Sequence, residues 1–154
     1  MIDVGEKAPE FSLSASGDQT LSLADANCPV VLFFYPRDDT PGCTKEAIGF
    51  TDLSADFAAI GVKVWGISAD SIKSHEKFIT KHGLSMPLLA DTDNAVSEAY
   101  GVWKEKNMYG KKFFGIERST FLIASDGTLA QVWRKVKVPG HVDAVFDAAK
   151  ALSA

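Results

Sequence analysis

Apolar residues fall along this chain in two rhythms. Unbroken runs of strand length alternate with stretches in which apolar positions return every three or four residues. Val30-Val31-Leu32-Phe33-Phe34-Tyr35 is continuous, as a strand buried on both faces requires. After a polar loop, Phe50, Leu53, Phe57 and Ile60 recur at spacings of 3, 4 and 3, a stripe along one helical face. That spacing predicts a helix over 44–60, with Gly61 as its stop. Val62–Ser68 reads as a second core strand. Asp70 or Ser71 can cap a helix ending at His82, before Gly83. Leu88–Ala90 is a short strand, and Asp93 or Asn94 can cap a short helix to Tyr100, closed by Gly101.

Residues 102–117 read as a long loop containing lysines and aromatics. Ser119–Ala124 is a third long strand, and Ser125-Asp126-Gly127 is a turn leading into Leu129–Arg134. Pro139-Gly140 breaks the chain before a last helix, with Val142, Val145, Phe146, Ala149 and Leu152 on one face. Residues 1–27 are irregular, with short strands around Phe11–Leu13 and Leu21–Leu23 joined at Ser16-Gly17-Asp18. Strand–helix alternation followed by a hairpin and a helix predicts an α/β sandwich with a mixed central sheet. Parallel strands come first and an antiparallel hairpin last.

The chain has 154 residues, the length of one domain. That length buries roughly 68–70% of the unfolded surface, enough for a core without disulfides or structural metal. No linker, repeat or low-complexity segment divides it, so one domain over residues 1–154 is expected. A net charge of −4 argues against a nucleic-acid surface or an anionic membrane as partner. No apolar run reaches the ~20 residues of a membrane span. The N-terminus lacks the pattern of a secretory leader, and two cysteines make no disulfide framework. A reducing cytoplasm is the expected compartment.

Cys43 changes the picture most. It follows the strand ending at Tyr35 and the loop Pro36-Arg37-Asp38-Asp39-Thr40-Pro41-Gly42, where a helical pattern opens. Free backbone N–H groups and the positive end of the helix dipole favour a thiolate there. Thr40 can turn its hydroxyl toward the same place. Pro36 stiffens the loop and has no N–H to compete. Glu46, on the first helical turn, can accept from an arginine, which must come from elsewhere in the chain.

Pro36-x-x-x-Thr40-x-x-Cys43-Thr44-x-Glu46 resembles the peroxiredoxin active-site signature, and more narrowly that of the bacterioferritin-comigratory-protein (PrxQ) branch. The resemblance extends through Gly66-Ile67-Ser68-Ala69-Asp70, Leu88-Leu89-Ala90-Asp91, Tyr100-Gly101-Val102-Trp103 and Tyr109-Gly110-Lys111 through Arg118-Ser119-Thr120-Phe121-Leu122-Ile123. It implies a thioredoxin-like fold, a three-layer α/β/α sandwich with an N-terminal β extension, and Cys43 as the peroxidatic cysteine. The thiolate would attack a hydroperoxide oxygen and become a sulfenic acid. Thr40, Arg118 and the Cys43 N–H would hold the peroxide oxygens. Pro36 would shield the sulfenic acid, and Glu46 would orient Arg118. No metal or organic cofactor is needed.

One feature departs from that branch. Many relatives carry a resolving cysteine five residues after the peroxidatic one, where this chain has Ile48, or on the next helix, where residues 71–82 hold none. Cys28 precedes the Val30–Tyr35 strand and Cys43 follows it. Six strand residues span ~20 Å, whereas a disulfide needs Cα atoms within ~7 Å. One-cysteine chemistry is therefore expected, with thioredoxin, glutaredoxin or a low-molecular-weight thiol as reductant and the protein a monomer or weak dimer. A thiol–disulfide oxidoreductase and a non-catalytic binding or chaperone module are the alternatives. Neither needs two donors aimed at a sulfur-bound oxygen.

The remaining residues read more plainly. Cys28 is a small apolar filler. His75 is a packed or surface histidine, and His82 and His141 are helix-terminus residues. Trp65, Trp103 and Trp133 belong to the core or a pocket wall. Lys104, Lys106, Lys111 and Lys112 form a solvated basic loop near Arg118 in sequence, able to raise the local potential.

Overall fold

The structure, a computed structural model, describes residues 2–153. The continuous apolar run forms β3 (Val30–Phe34), every residue of it buried. It is central in a seven-stranded sheet with β1 (Ser12–Ala15), β2 (Gln19–Ser22), β4 (Lys63–Ser68), β5 (Leu88–Ala90), β8 (Ser119–Ile123) and β9 (Leu129–Trp133). Their order is β2-β1-β5-β4-β3-β8-β9. β3, β4 and β5 run parallel, while β8 and β9 are antiparallel. The β1–β2 hairpin extends the other edge through one antiparallel pairing, Ala15 with Leu89. This is the predicted mixed sheet.

Alternation along β3 divides the core. Val31, Phe33 and Tyr35 join Phe50, Phe57, Phe78 and Val145 on one face. Val30, Leu32 and Phe34 join Phe11, Trp65, Val96, Tyr100 and Phe121 on the other. The first face is covered by α1 (Pro41–Asp52), α2 (Ser54–Ala59), α3 (Ile72–His82) and α5 (His141–Ser153). The second is covered by the short α4 (Ala95–Ala99) and the N-terminal segment. Burying each large apolar side chain contributes about 1.5–3 kcal/mol.

Three elements differ from the sequence expectation. The helix expected over 44–60 starts earlier and is broken. Pro41 occupies the first helical position, where its missing N–H costs nothing, and Leu53 interrupts the helix at φ −99°, ψ 10°. Apolar spacing could not reveal the break, because Phe50 and Phe57 reach the same cluster from either side of it. The expected loop over 102–117 is a separate two-stranded hairpin, β6 (Trp103–Met108) with β7 (Lys111–Ile116). It turns at Tyr109 (φ 52°) and Gly110 (φ 79°), a left-handed pair suited to a tight hairpin. The start of α4 is held by Asp91, whose carboxylate accepts from the Val96 and Ser97 N–H groups. Of the two expected caps, Asp93 contributes, its Oδ1 accepting from the Ala95 N–H at 3.1 Å, whereas Asn94 makes no side-chain cap.

The loop from Tyr35 to Thr40 is anchored from below. Tyr35 Oη donates to Asp38 Oδ1 at 2.6 Å, and Ser74 Oγ donates to Asp38 Oδ2 at 2.8 Å. His75 Nδ1 lies 2.8 Å from the same Oδ2, and its Nε2 donates to the Leu89 carbonyl at 2.8 Å. His75 is fully buried. It is a packed histidine that uses both ring nitrogens to tie the loop to α3 and β5. Removing one side of a buried hydrogen-bonded pair leaves its partners unsatisfied. His75→Leu is expected to lose about 1–3 kcal/mol of unfolding free energy, measured by urea titration. An unchanged unfolding free energy would show that these bonds do not anchor the loop.

Candidate active site

Strand pairing brings the site together. Ser119 at the start of β8 pairs with Phe34 at the end of β3. Arg118, one residue earlier, therefore sits where the chain leaves β3 for α1. Cys43 is the third residue of α1 and 1% exposed. Glu46 follows three residues later, on the same helical face. The Arg118 guanidinium bridges them: Nη2 donates to Cys43 Sγ at 3.2 Å and Nη1 donates to Glu46 Oε1 at 2.6 Å. Gly42 makes room for this approach, since a Cβ there would lie 3.1 Å from Arg118 Nη2.

The helix start is left open. Thr40 is the N-cap residue, yet its side chain makes no cap bond. Its Oγ1 instead donates to the Arg37 carbonyl at 3.0 Å. Because α1 begins at Pro41 rather than Thr44, Glu46 falls beyond the first turn expected to hold it, and no acidic residue of that turn neutralises the positive end of the dipole. Pro36 is exposed at the end of β3. The structure thus joins Cys43, Glu46 and Arg118 by direct bonds and places Thr40 and Pro36 on the adjoining loop.

The electrostatics of the pocket are set by burial. Glu46 is fully enclosed. Burial pushes its carboxyl up to about 7, against the opposing pull of Arg118. Burial works against the charge on Arg118 as well, but Glu46 and Cys43 outweigh it and hold the guanidinium above its usual range. Lys106 of β6 donates to the Ile116 carbonyl at 2.5 Å. Burial first, and then the Arg118 charge, hold it below its usual value.

His141 belongs to the site, although its sequence context marks it only as a helix-terminus residue. It does begin α5, but it is buried. Its Nε2 lies 2.8 Å from Thr120 Oγ1 and 3.8 Å from Glu46 Oε2. Burial and then Arg118 push it down to about 4. Its place at the start of a helix is readable from the chain. Its partners on α1 and β8 are not, because only sheet pairing brings them together. Among the described residues, no cluster of histidine, cysteine, aspartate and glutamate side chains is arranged to hold a metal ion.

Comparison with known proteins gives this geometry its class. Residues 4–132 match the model of the AhpC/TSA family. Peroxiredoxin Bcp of Xanthomonas campestris is 51% identical over 143 residues, covering 92% of this chain and 89% of that one. Peroxiredoxin Bcp of Bacillus subtilis is 44% identical over 153 residues, covering 99% and 98%. A solved structure of the Xanthomonas campestris bacterioferritin comigratory protein superposes with a TM-score of 0.89 at 48% identity, covering 94% and 92%. The fold is thioredoxin-like, as in those relatives. The chain belongs to the AhpC/TSA family and, within it, to the Bcp/PrxQ peroxiredoxins, which are thiol-dependent peroxidases.

The buried carboxyl has a measurable consequence. An acid held above its unfolded value keeps its proton in the folded chain where the unfolded chain has lost it. The stability Glu46 contributes is therefore complete below about 4.5 and is lost as pH rises through about 7. His141 works oppositely: its contribution is present above 6.5 and is lost as pH falls through about 4. Comparing Glu46→Gln with wild type isolates the first effect. The stability of the variant relative to wild type should rise between pH 5 and pH 8, followed by denaturant titration across that range. A difference independent of pH would contradict a raised carboxyl.

Proposed function

We propose that Cys43 is the peroxidatic cysteine and that this chain reduces hydrogen peroxide and alkyl hydroperoxides. The observation that carries the reading is the guanidinium fixed at 3.2 Å from a buried sulfur by a buried carboxyl group. The positive charge stabilises a thiolate, and the thiolate is the nucleophile. The related Xanthomonas campestris protein is described in terms of alkyl peroxide reduction, which supports the same substrate class here.

In the step proposed, the Cys43 thiolate attacks one oxygen of the hydroperoxide and the O–O bond breaks. The departing alkoxide or hydroxide takes a proton, and Cys43 becomes a sulfenic acid. Arg118, the open N–H of Cys43 and the Thr40 hydroxyl stabilise the charge developing on the departing oxygen. Thr40 must first turn away from the Arg37 carbonyl. Pro36 walls off the mouth, and Glu46 is a positioning residue acting through Arg118.

An external thiol then resolves the sulfenic acid. It forms a mixed disulfide with loss of water, and a second thiol restores Cys43. The two cysteines are free and far apart along the fold. Cys28 lines a groove with Phe50 and Phe57, and Phe50 lies seven residues beyond Cys43 on α1, about 10 Å along the helix. Thioredoxin, glutaredoxin and small thiols are the reductants that this chemistry accepts. No helix among the described residues is long and apolar enough to cross a membrane. We place the protein in the cytoplasm, as one domain working as a monomer or weak dimer.

One equivalent of peroxide should add a single oxygen to the intact mass, captured by a sulfenic-acid trap at Cys43. Cys28→Ser should behave as wild type, and Cys43→Ser should gain nothing. Loss of two hydrogens with a Cys28–Cys43 bridge would refute resolution by an external thiol. Oxygen gained only at other residues would refute the assignment of Cys43.

A further inference from the structure

Glu46 is wholly enclosed, and half of its carboxyl has no partner. Oε1 accepts from Arg118 at 2.6 Å. Oε2 is the single buried side-chain nitrogen or oxygen among the described residues without a hydrogen bond. A bare anionic oxygen in such surroundings is costly, whereas a carboxyl bearing its hydrogen there is much less so.

Two further observations bear on that oxygen. First, one guanidinium serves two acids, since Arg118 also donates to Cys43 Sγ. Cys43 and Glu46 therefore depend on one donor group for their positive neighbour. Second, His141 Nε2 stands 3.8 Å from Oε2. The same imidazole lines a surface cavity of about 500 Å³ with Trp133, Lys135 and Lys137. His141 thus stands both beside the buried oxygen and at the wall of that cavity. Arg118 before β8 and His141 on α5 reach Glu46 directly; Cys43 on its own helix shares Arg118 with it, and Thr120 on β8 shares His141. Lys106 on β6 acts on Arg118 and Cys43.

We propose that Glu46 stores the proton of the peroxidase step. It carries a hydrogen on Oε2 while Cys43 is a thiolate, and releases it through His141 when Cys43 becomes a sulfenic acid. The inference rests on Cys43 being the peroxidatic residue. The balance is thiolate, carboxylic acid and hydrogen peroxide going to sulfenic acid, carboxylate and water. The O–O bond breaks, sulfur gains an oxygen, and the hydroxide leaving group takes a proton from the solvent-facing mouth. Oε2 returns one proton to solvent through His141, so none is taken up overall. Arg118 keeps one counter-ion throughout, first sulfur and then carboxylate. Regeneration of the thiolate recharges Oε2 by the same route. The raised carboxyl, at about 7, agrees with a group that holds its proton near neutrality.

The test uses the intact reduced protein at a pH of about 6.5, just below that value. One equivalent of hydrogen peroxide is added in unbuffered indicator solution, with infrared difference spectra and a sulfenic-acid trap in parallel. Wild type should lose a protonated-carboxyl band as the sulfenic acid forms, taking up less than about half a proton per sulfenic acid. Glu46→Gln should lack the band and take up about one proton. His141→Phe should keep the band, but its shift on transfer to heavy water should slow about tenfold or more. Sulfenic acid formed with a full proton taken up and no carboxyl band lost would overturn the inference and leave the peroxidase reading standing. Absence of any sulfenic acid would overturn both. Exchange at the wild-type rate in His141→Phe would overturn the route through His141. The wild-type infrared result decides the storage of the proton even if Glu46→Gln fails to fold.

Discussion

A guanidinium held between a sulfur and a carboxyl group is the contact on which the other parts of this structure converge. Arg118 reaches Cys43 and Glu46 at once, and each neighbour is placed by a different level of the fold. The pairing of β8 with β3 sets where Arg118 emerges. The helical repeat of α1 puts Cys43 and Glu46 on one face. Gly42 removes the one carbon that would crowd the approach. Burial of Glu46 removes the water that would otherwise compete for its bond to Arg118. An exposed contact of the same geometry would be worth little. This one is enclosed, so removing Arg118 leaves both of its partners without their shared donor.

Rigidity beneath the loop complements openness above it. Asp38 is held by Tyr35, Ser74 and His75, and its N–H donates to Asp70 Oδ2 at 2.8 Å. Those bonds fix the chain just before Thr40. Beyond Thr40 the helix start is left uncapped by its own N-cap side chain. Donors that a structural cap would have consumed stay available for a bound oxygen. The same loop is therefore well anchored at its base and chemically vacant at its tip.

Much of this is readable from the residues, and what is not has a common cause. Strand runs such as Val30–Tyr35 and capped helices such as the one closed by Gly83 carry their information locally, in periodicity and capping chemistry. The α1–α2 break at Leu53 does not, because the apolar stripe continues through it. The β6–β7 hairpin is hidden by lysines, by exposed Phe113 and Phe114, and by a turn that uses Tyr109 where asparagine or glycine is usual. Cys43, Thr40 and Glu46 share one short segment, so their association is visible. The bond from Arg118, the buried place of His75 and the approach of His141 to Glu46 all depend on pairing between distant strands and helices.

The most direct test of the central contact is the rate at which Cys43 is oxidised when the guanidinium is removed. Arg118→Met keeps the length and bulk of the side chain while deleting its charge and donors. Rapid mixing with hydrogen peroxide, read by sulfenic-acid trapping, should show a second-order rate lower by about 10²–10³-fold, with the circular dichroism of the fold unchanged. A folded variant whose sulfur is oxidised at the wild-type rate would contradict the account.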